Sequence, residues 1–210
     1  MLARLLTCSL LLFSFCLVLA ERACEDGKDN VVTIQDLNGE EAKVQFKDVT
    51  VLAYDTEKKP LCSKSGSPLI KFPGFLKLGG GQIHVTEPLN SDSVKLLFTS
   101  EHNSFFIGQV CLNGKSENAF VADDLCEVEM CELVGEEICG LLTKKQVIEA
   151  PTLFEDFFPL PENPVSELGG EWRLDVRMDV AEEEVARIRV GRSDEWIRIG
   201  EEEEEAHEEL

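Results

Sequence analysis

The cysteines are the residues of this chain whose type and number most clearly carry chemistry. Two of the eight, Cys8 and Cys16, lie in an N-terminal segment that we expect to be removed. The remaining six are Cys24, Cys62, Cys111, Cys126, Cys131 and Cys139. An even number in an oxidising compartment favours three disulfides, for which fifteen pairings are open. Zinc is the alternative, but the chain has no CxxC pair and no histidine at ligand spacing, so we expect no metal.

The three histidines do not form a recognisable catalytic pattern. His84 and His102 have no Ser, Cys or acidic partner at a familiar spacing, and His207 lies near the C-terminus. The G-x-S-x-G, P-loop and H-E-x-x-H motifs are absent. The glycines at positions 79–81 precede a predicted strand rather than a helix, so we expect a turn there and no phosphate loop. The acidic pair at 123–124 lacks EF-hand spacing. We therefore predict that the protein is not an enzyme and uses no cofactor.

Apolar residues in unusual places are the other candidates for function. Phe154, Phe157 and Phe158 cluster in a proline-bounded loop. Two interpretations stay open: these rings fold back over an ordinary core, or they form a lip where an acyl chain enters a cavity. In the second case we expect the cavity to be lined on one sheet by Trp172, Leu174, Val176 and Met178 and on the other by Leu97, Phe105 and Ile107.

The elements that must position these residues are short strands. In 172–180 apolar and charged residues alternate strictly, and 186–190 repeat the pattern after an acidic turn at 182–184, which predicts a half-buried antiparallel hairpin. Further strands are predicted at 31–34, 42–54, 82–89, 93–99 and 104–112. A parity change between Phe46 and Val49 predicts a bulge at Lys47 and Asp48. A short helix is expected within 123–150, up to Val147 and Ile148. The sequence predicts an all-β, two-sheet antiparallel sandwich with a short helical, disulfide-rich insertion.

The two ends of the chain suggest a route through the secretory pathway. Residues 1–20 have the arginine, apolar run and small residues of a signal peptide. The last four residues, His207, Glu208, Glu209 and Leu210, are similar to endoplasmic-reticulum retrieval signals that a receptor reads. We predict a signal peptide at 1–20, a domain at 21–200 and a disordered acidic tail at 201–210, which is either a spacer for that signal or a solubility element. The endoplasmic reticulum lumen is favoured; the extracellular space or lysosome is the alternative.

The charge and hydropathy of the chain limit its partners. The formal net charge is −21 over 210 residues. Such a charge repels phosphate backbones and anionic lipid surfaces, so we expect no nucleic-acid partner. Only the N-terminal apolar stretch is long enough to cross a bilayer, so we expect no transmembrane segment in the mature chain.

Several of these features together resemble a known family. The signal peptide, the early Cys24, the strand series, the cysteine-rich middle and the closing G-x-W-R-L-x-V segment at 170–176 resemble the ML (MD-2-related) lipid-recognition family. The segment from Asp124 through Cys126, Cys131 and Gly135 to Cys139 is similar to its ganglioside-activator branch. The resemblance implies an immunoglobulin-like sandwich that opens between its sheets to hold an acyl chain, a sterol or a glycolipid.

The resemblance also bears on the disulfides. Family members join the N-terminal cysteine to one in the final strands, and this chain has no cysteine after Cys139. With that partner missing, loop geometry and analogy with the family lead us to expect Cys111 paired with Cys126, Cys131 with Cys139, and Cys24 with Cys62.

Two functions from different classes follow from the sequence. The first is a non-enzymatic lipid-binding protein of the secretory pathway that buries acyl or sterol groups between two sheets. The alternative is a protein-interaction module or cofactor of the endoplasmic reticulum with a solid core. The space between the two sheets discriminates between them, because a filled interior favours the interaction module.

Overall fold

The computed structural model of the chain describes residues 23–89, 94–119, 121–153, 157–160, 169–193 and 195–200. Within these ranges the protein is all-β, with antiparallel sheets and a few short helices, as the sequence predicts. The predicted signal peptide, Phe154, and the predicted retrieval residues His207, Glu208, Glu209 and Leu210 lie outside the described residues.

The described residues contain thirteen strands, three short α-helices and two 3-10 helices at Gly39–Glu41 and Asp123–Leu125. The strands are β1 (Val31–Asp36), β2 (Val44–Tyr54), β3 (Leu69–Ile70), β4 (Gly74–Val85), β5 (Val94–His102), β6 (Gln109–Leu112), β7 (Lys115–Ser116), β8 (Glu127–Glu129), β9 (Gln146–Glu149), β10 (Phe158–Leu160), β11 (Gly170–Val180), β12 (Glu183–Val190) and β13 (Ile197–Ile199). The helices are α1 (Met130–Val134), α2 (Glu136–Leu142) and α3 (Ala150–Leu153).

Strand β1 belongs to both sheets of the sandwich. Its first half pairs with β2 and its second half with β12, both antiparallel. The strand order is β10-β4-β2-β1-β12-β11-β5-β6-β7, with β9 also on β4 and β8 also on β5. The two sheets are therefore joined along β1. Besides β1, the first sheet contains β2, β4, β9 and β10, and the second contains the remaining strands. On the opposite side they have separate edges, formed by β9 and β10 on the first sheet and by β6, β7 and β8 on the second.

The hairpin of β11 and β12 forms where the alternation predicts it. Ala181 and Glu182 both have left-handed backbone conformations, with φ of 51° and 65°. Two such residues in succession fit a tight turn whose twist matches that of the flanking strands. The turn is one residue earlier than predicted, because Glu183 and Glu184 already pair in β12.

The predicted bulge in β2 is confirmed, and it explains a wrong prediction in β4. The register between β2 and β4 shifts after Lys47, and Asp48 has φ of 52°. The glycines at 79–81 lie inside β4 rather than in a turn. Gly81 has φ of 90°, and a Cβ there would overlap the carbonyl oxygen of Asp48 and the Cα of Val49. Glycine is needed at this position because the bulged strand approaches the β4 backbone closely.

Two other sequence assignments are corrected by strand pairing. The sequence predicts one strand over Ser104–Leu112, but residues 103–108 form a loop and β6 begins only at Gln109. Val147 and Ile148 form β9 rather than a continuation of the helix, because Ile148 pairs with Ile83 at the edge of β4. This tertiary pairing overrides a local pattern that fits either structure.

The core between the sheets consists of two clusters. The first contains buried residues from both sheets, among them Val44 and Val85 of the first sheet and Met178 and Val180 of the second. The second lies toward the other end of the strands and includes Trp172, which is 3% exposed. Because each cluster draws on both sheets, the two sheets face each other as a sandwich.

The three disulfides have the predicted pairing. They join Cys24 to Cys62, Cys111 to Cys126 and Cys131 to Cys139, with Cα–Cα distances of 5.8, 5.6 and 5.5 Å. The second lies inside the second core cluster, and the third connects α1 to α2 beside the first cluster. Three disulfides are consistent with an oxidising secretory or extracellular environment.

Candidate apolar site between the sheets

The middle of the second sheet carries a set of apolar side chains that the core does not fully cover. Val176 lies directly opposite Phe98 on β5 and Ile188 on β12, and Leu174 lies opposite Val190. All five are half-buried and pack against the core clusters. On the same face the neighbouring positions toward each strand end, such as Met178 and Trp172, are buried.

The first sheet shows the same arrangement on its inner face. Val51 lies opposite Leu78, and Ala53 lies opposite Leu76. Val51, Leu76 and Leu78 are half-buried, whereas Ala53 is only 1% exposed. The half-buried positions thus recur in the middle of both sheets, between the two core clusters.

We refer to this less buried region between the two core clusters as the gap. Side chains at the centre of a closely packed sandwich are normally the most buried of the domain. Here the side chains in the middle of both inner faces retain solvent contact. The set is wholly aliphatic and aromatic: Val51, Leu76, Leu78, Phe98, Leu174, Val176, Ile188 and Val190. Such a surface offers apolar contact and no group for acid–base chemistry.

Phe158 lies at the open side of this gap. It is in the edge strand β10 and pairs with Leu76, so the two side chains share the inner face of the first sheet. Leu160 of the same strand packs against the second core cluster. The structure therefore places Phe158 beside the gap, on the side of the sandwich away from β1.

The prediction that Phe157 lies at the same mouth is wrong. Its ring meets the rings of Tyr54 and Phe75 edge to face, at 4.8 and 6.0 Å between centroids. The Nζ atom of Lys58 lies 4.8 Å from the Phe157 centroid. Phe75 alternates with the inward Leu76 along β4, so this aromatic group covers the outer face of the first sheet. Adjacent residues of an extended strand project to opposite faces, which separates Phe157 from Phe158.

The predicted second wall of the cavity is also wrong. The sequence predicts Leu97 on the sheet opposite β11, but β5 and β11 are neighbours in one sheet, and Leu97 lies opposite Arg177. This places Leu97 on the outer face, where it is buried near Gly114. Phe105 is in the loop after β5 and is 98% exposed, and Ile107 of that loop packs half-buried against the second cluster.

Four predicted residues do lie together on the inner face of β11. Trp172 and Met178 belong to the two core clusters, and Leu174 and Val176 belong to the gap between them. On the first sheet Val51, Leu76 and Leu78 pack against the same two clusters, and the sequence pattern does not point to them. Leu76 and Leu78 do alternate with Lys77, but the glycines that follow concealed this strand.

Charged side chains cover the outer face of the second sheet and leave the gap uncharged. Arg189 donates to both carboxylate oxygens of Asp175, at 2.6 and 2.7 Å. Arg187 donates to both oxygens of Glu184, at 3.1 and 2.7 Å. Burial acts to raise the pKa of Glu184, but the hydrogen bonds from Arg187 and Asn38 outweigh it and lower the pKa. The Arg189–Asp175 pair connects β12 to β11 on the side away from the gap, whereas Arg187 and Glu184 both lie in β12.

One hydrogen-bonded cluster stabilises the end of β2. The hydroxyl of Tyr54 donates to Asp26 at 2.8 Å, and the Asn30 amide donates to the same carboxylate oxygen at 3.1 Å. Burial, reinforced by the bond to Asp26, raises the pKa of Tyr54 to about 12. Asn30 also donates to the carbonyl of Ala53, so the cluster connects the N-terminal segment to the first sheet.

Two small pockets lie outside the gap, each of about 190 Å³. One is lined by Ser65, Ser67, Pro68, Glu171, Glu195, Trp196, Ile197 and Arg198. The other, on the outer face of the second sheet, is lined by Thr99, Leu112, Asn113, Asp175, Arg177 and Arg187. Among the described residues we find no group of three or more His, Cys, Asp or Glu side chains that could hold a metal ion. In the same ranges, none of the helices has the length and apolar character needed to cross a membrane.

Comparison with known proteins does not assign the chain to a family. No family model matches its sequence, and no curated protein matches it significantly.

Proposed function

We propose that this protein is a non-enzymatic lipid-binding protein of the secretory pathway, which holds an acyl chain or a sterol between its two sheets. The single observation that carries the proposal is the set of half-buried apolar side chains in the middle of both inner faces. The three disulfides support the compartment.

The shape of the sandwich supports a route for the lipid. The sheets are joined along β1, so they cannot separate there without breaking the pairing with β2 or β12. The opposite edges are not joined by any strand pairing among the described residues. We expect lipid to enter between these edges, past Phe158, with its polar group left at the surface.

The chemistry of the lining supports an apolar ligand and no particular head group. Burial of apolar surface contributes about 0.8 kcal/mol for each methylene group. About ten methylene groups would contribute roughly 8 kcal/mol before the cost of association, enough to offset a large part of that cost. The charged residues Arg173, Asp175 and Arg177 alternate with the inner residues of β11 and lie on the other face.

Lipid analysis of the purified full chain tests the proposal. The protein is expressed through a secretory route, measured by native mass spectrometry, and extracted with organic solvent for lipid identification. We expect bound species whose mass is an acyl lipid or a sterol. Finding no bound lipid, together with no binding of a fatty acid, cholesterol or a ganglioside added separately, would refute the proposal.

A further inference from the structure

The loop between β5 and β6 holds two aromatic rings in water. Phe105 and Phe106 are 98% and 93% exposed, and their rings contact each other edge to face at 5.6 Å. The two rings form one contiguous apolar patch, and exposed apolar patches are a feature of interaction surfaces.

The loop that carries these rings is held by hydrogen bonds. The His102 N–H donates to the Gly108 carbonyl at 2.8 Å, and the Gly108 N–H donates to the Ser104 carbonyl at 3.0 Å. The Asn103 N–H donates to the Glu171 carbonyl at 2.8 Å, which anchors the loop to β11. The rings are therefore presented from a bonded loop, so a partner would pay little ordering entropy for the backbone.

One of the two small pockets adjoins this loop. The Asn103 side chain donates to the Glu171 carboxylate at 2.7 Å, and Glu171 also lines the pocket. Glu195 and Trp196 are further lining residues, and the guanidinium carbon of Arg173 lies 4.2 Å from the indole centroid. The pocket thus combines an aromatic wall with two carboxylates, beside two exposed phenylalanines.

The size and charge of the pocket define what it can accept. Its volume of about 190 Å³ is below the roughly 300 Å³ at which small-molecule sites begin, so it fits one long side chain. Among its charged lining residues Arg198 already pairs with Glu171 at 3.6 Å, so Glu195 is the carboxylate that can receive a further cation, within a chain of net charge −21. The Glu195 carboxylate and the overall negative charge of the chain both attract a cation.

We propose that Phe105, Phe106 and this acidic pocket form a docking surface for a polypeptide segment that carries a lysine or arginine next to an apolar residue. The basic side chain enters the pocket and pairs with Glu195, and the apolar neighbour packs against the two phenylalanine rings. This surface is lined by residues that do not line the gap between the sheets.

A membrane fits the same surface less well. Insertion of the two rings into a bilayer would bring the Glu171 carboxylate, bonded to the base of the loop, toward the low-dielectric interface, where desolvation of a charge is costly. The overall negative charge adds repulsion from anionic lipid.

Selection from a phage-displayed random peptide library against the full chain tests the proposal. We expect the enriched peptides to share a lysine or arginine beside an aromatic or aliphatic residue. A synthetic peptide of that sequence should bind about tenfold more weakly to Glu195→Gln and to the double variant Phe105→Ser, Phe106→Ser. Raising the salt concentration should weaken binding, because the contact is partly ionic.

Matched variants separate this surface from general effects. Glu132→Gln removes an exposed charge and Val147→Ser an exposed apolar side chain elsewhere, and both should bind the peptide as the wild type does. The proposal is overturned if selection enriches no basic residue or if the loop and Glu195 variants keep full affinity. It is also overturned if the wild type, but not the double Phe variant, floats with phosphatidylcholine vesicles while no basic peptide is enriched.

Discussion

Filling the gap with a larger side chain should block lipid binding without unfolding the protein. Val176 is half-buried at the centre of the second sheet, facing the first. In Val176→Phe the side chain gains roughly 50 Å² of apolar surface, and its burial in the gap would stabilise the fold by about 1 kcal/mol. If the ring displaces about three methylene groups of a bound lipid, the affinity falls by about 2.4 kcal/mol, or roughly fifty-fold.

The matched control is the same substitution at a closely packed valine. Val44 is 1% exposed and lies in the first core cluster. Because no space is available there, Val44→Phe should destabilise the fold by about 1–3 kcal/mol. For a domain of this size, each kcal/mol lowers the melting temperature by about 2–4 °C.

Urea unfolding and lipid extraction measure the two effects separately. We expect Val176→Phe to unfold at the same or a higher urea concentration than the wild type and to retain much less lipid. An equal loss of stability in both variants would show that Val176 is in a filled core and would refute the gap. Unchanged stability with unchanged lipid content would place the lipid elsewhere on the protein.

Two further substitutions test the local structure. Gly81→Ala should destabilise the protein by about 2 kcal/mol or more in urea unfolding, because the added Cβ meets the Asp48 backbone at φ of 90°. Gly27→Ala is the control, since the space around Gly27 is open, and it should cost about 1 kcal/mol. Equal losses in the two variants would contradict the close approach at the bulge. Tyr54 is the only tyrosine, so absorbance titration reads it alone and should give a pKa of about 12 rather than 10. Folding favours the neutral form of the Tyr54 hydroxyl. The contribution of Tyr54 to the free energy of unfolding is therefore complete below pH 10 and is lost as the pH rises from 10 to 12. Tyr54→Phe should remove that pH dependence, and an unshifted titration would contradict the buried hydrogen bond to Asp26.

The strand pattern of the chain could be predicted where alternation is uninterrupted. The two strands of the β11–β12 hairpin have 11 and 8 residues and alternate over 172–180 and 186–190, and the inward set Trp172, Leu174, Val176 and Met178 follows directly from this pattern. The parity change between Phe46 and Val49 likewise predicts the bulge in β2, because one extra residue reverses which side chains face inward.

The partners across the gap could not be predicted from the same pattern. Alternation shows which residues of one strand share a face, but not which strands are neighbours and which face each other. Leu97 was therefore assigned to the wrong sheet, since β5 pairs with β11 only in the folded structure. The inward residues Leu76 and Leu78 were missed because the glycines at 79–81, which read as a turn, lie within the same strand and are required by the bulge opposite.

The positions of two disulfides match a sandwich that is more buried in its two core clusters than between them. Leaving apolar side chains half-buried forgoes about 25 cal/mol for each Å² that stays exposed, so a gap lowers the stability that the core can supply. Each core cluster has its own covalent link: Cys111 and Cys126 lie within the second, and Cys139 and Cys131 lie in and beside the first. Disulfides typically contribute about 2–4 kcal/mol each. Placed in this way, they offset the loss without joining the free edges of the two sheets, between which a lipid would have to pass.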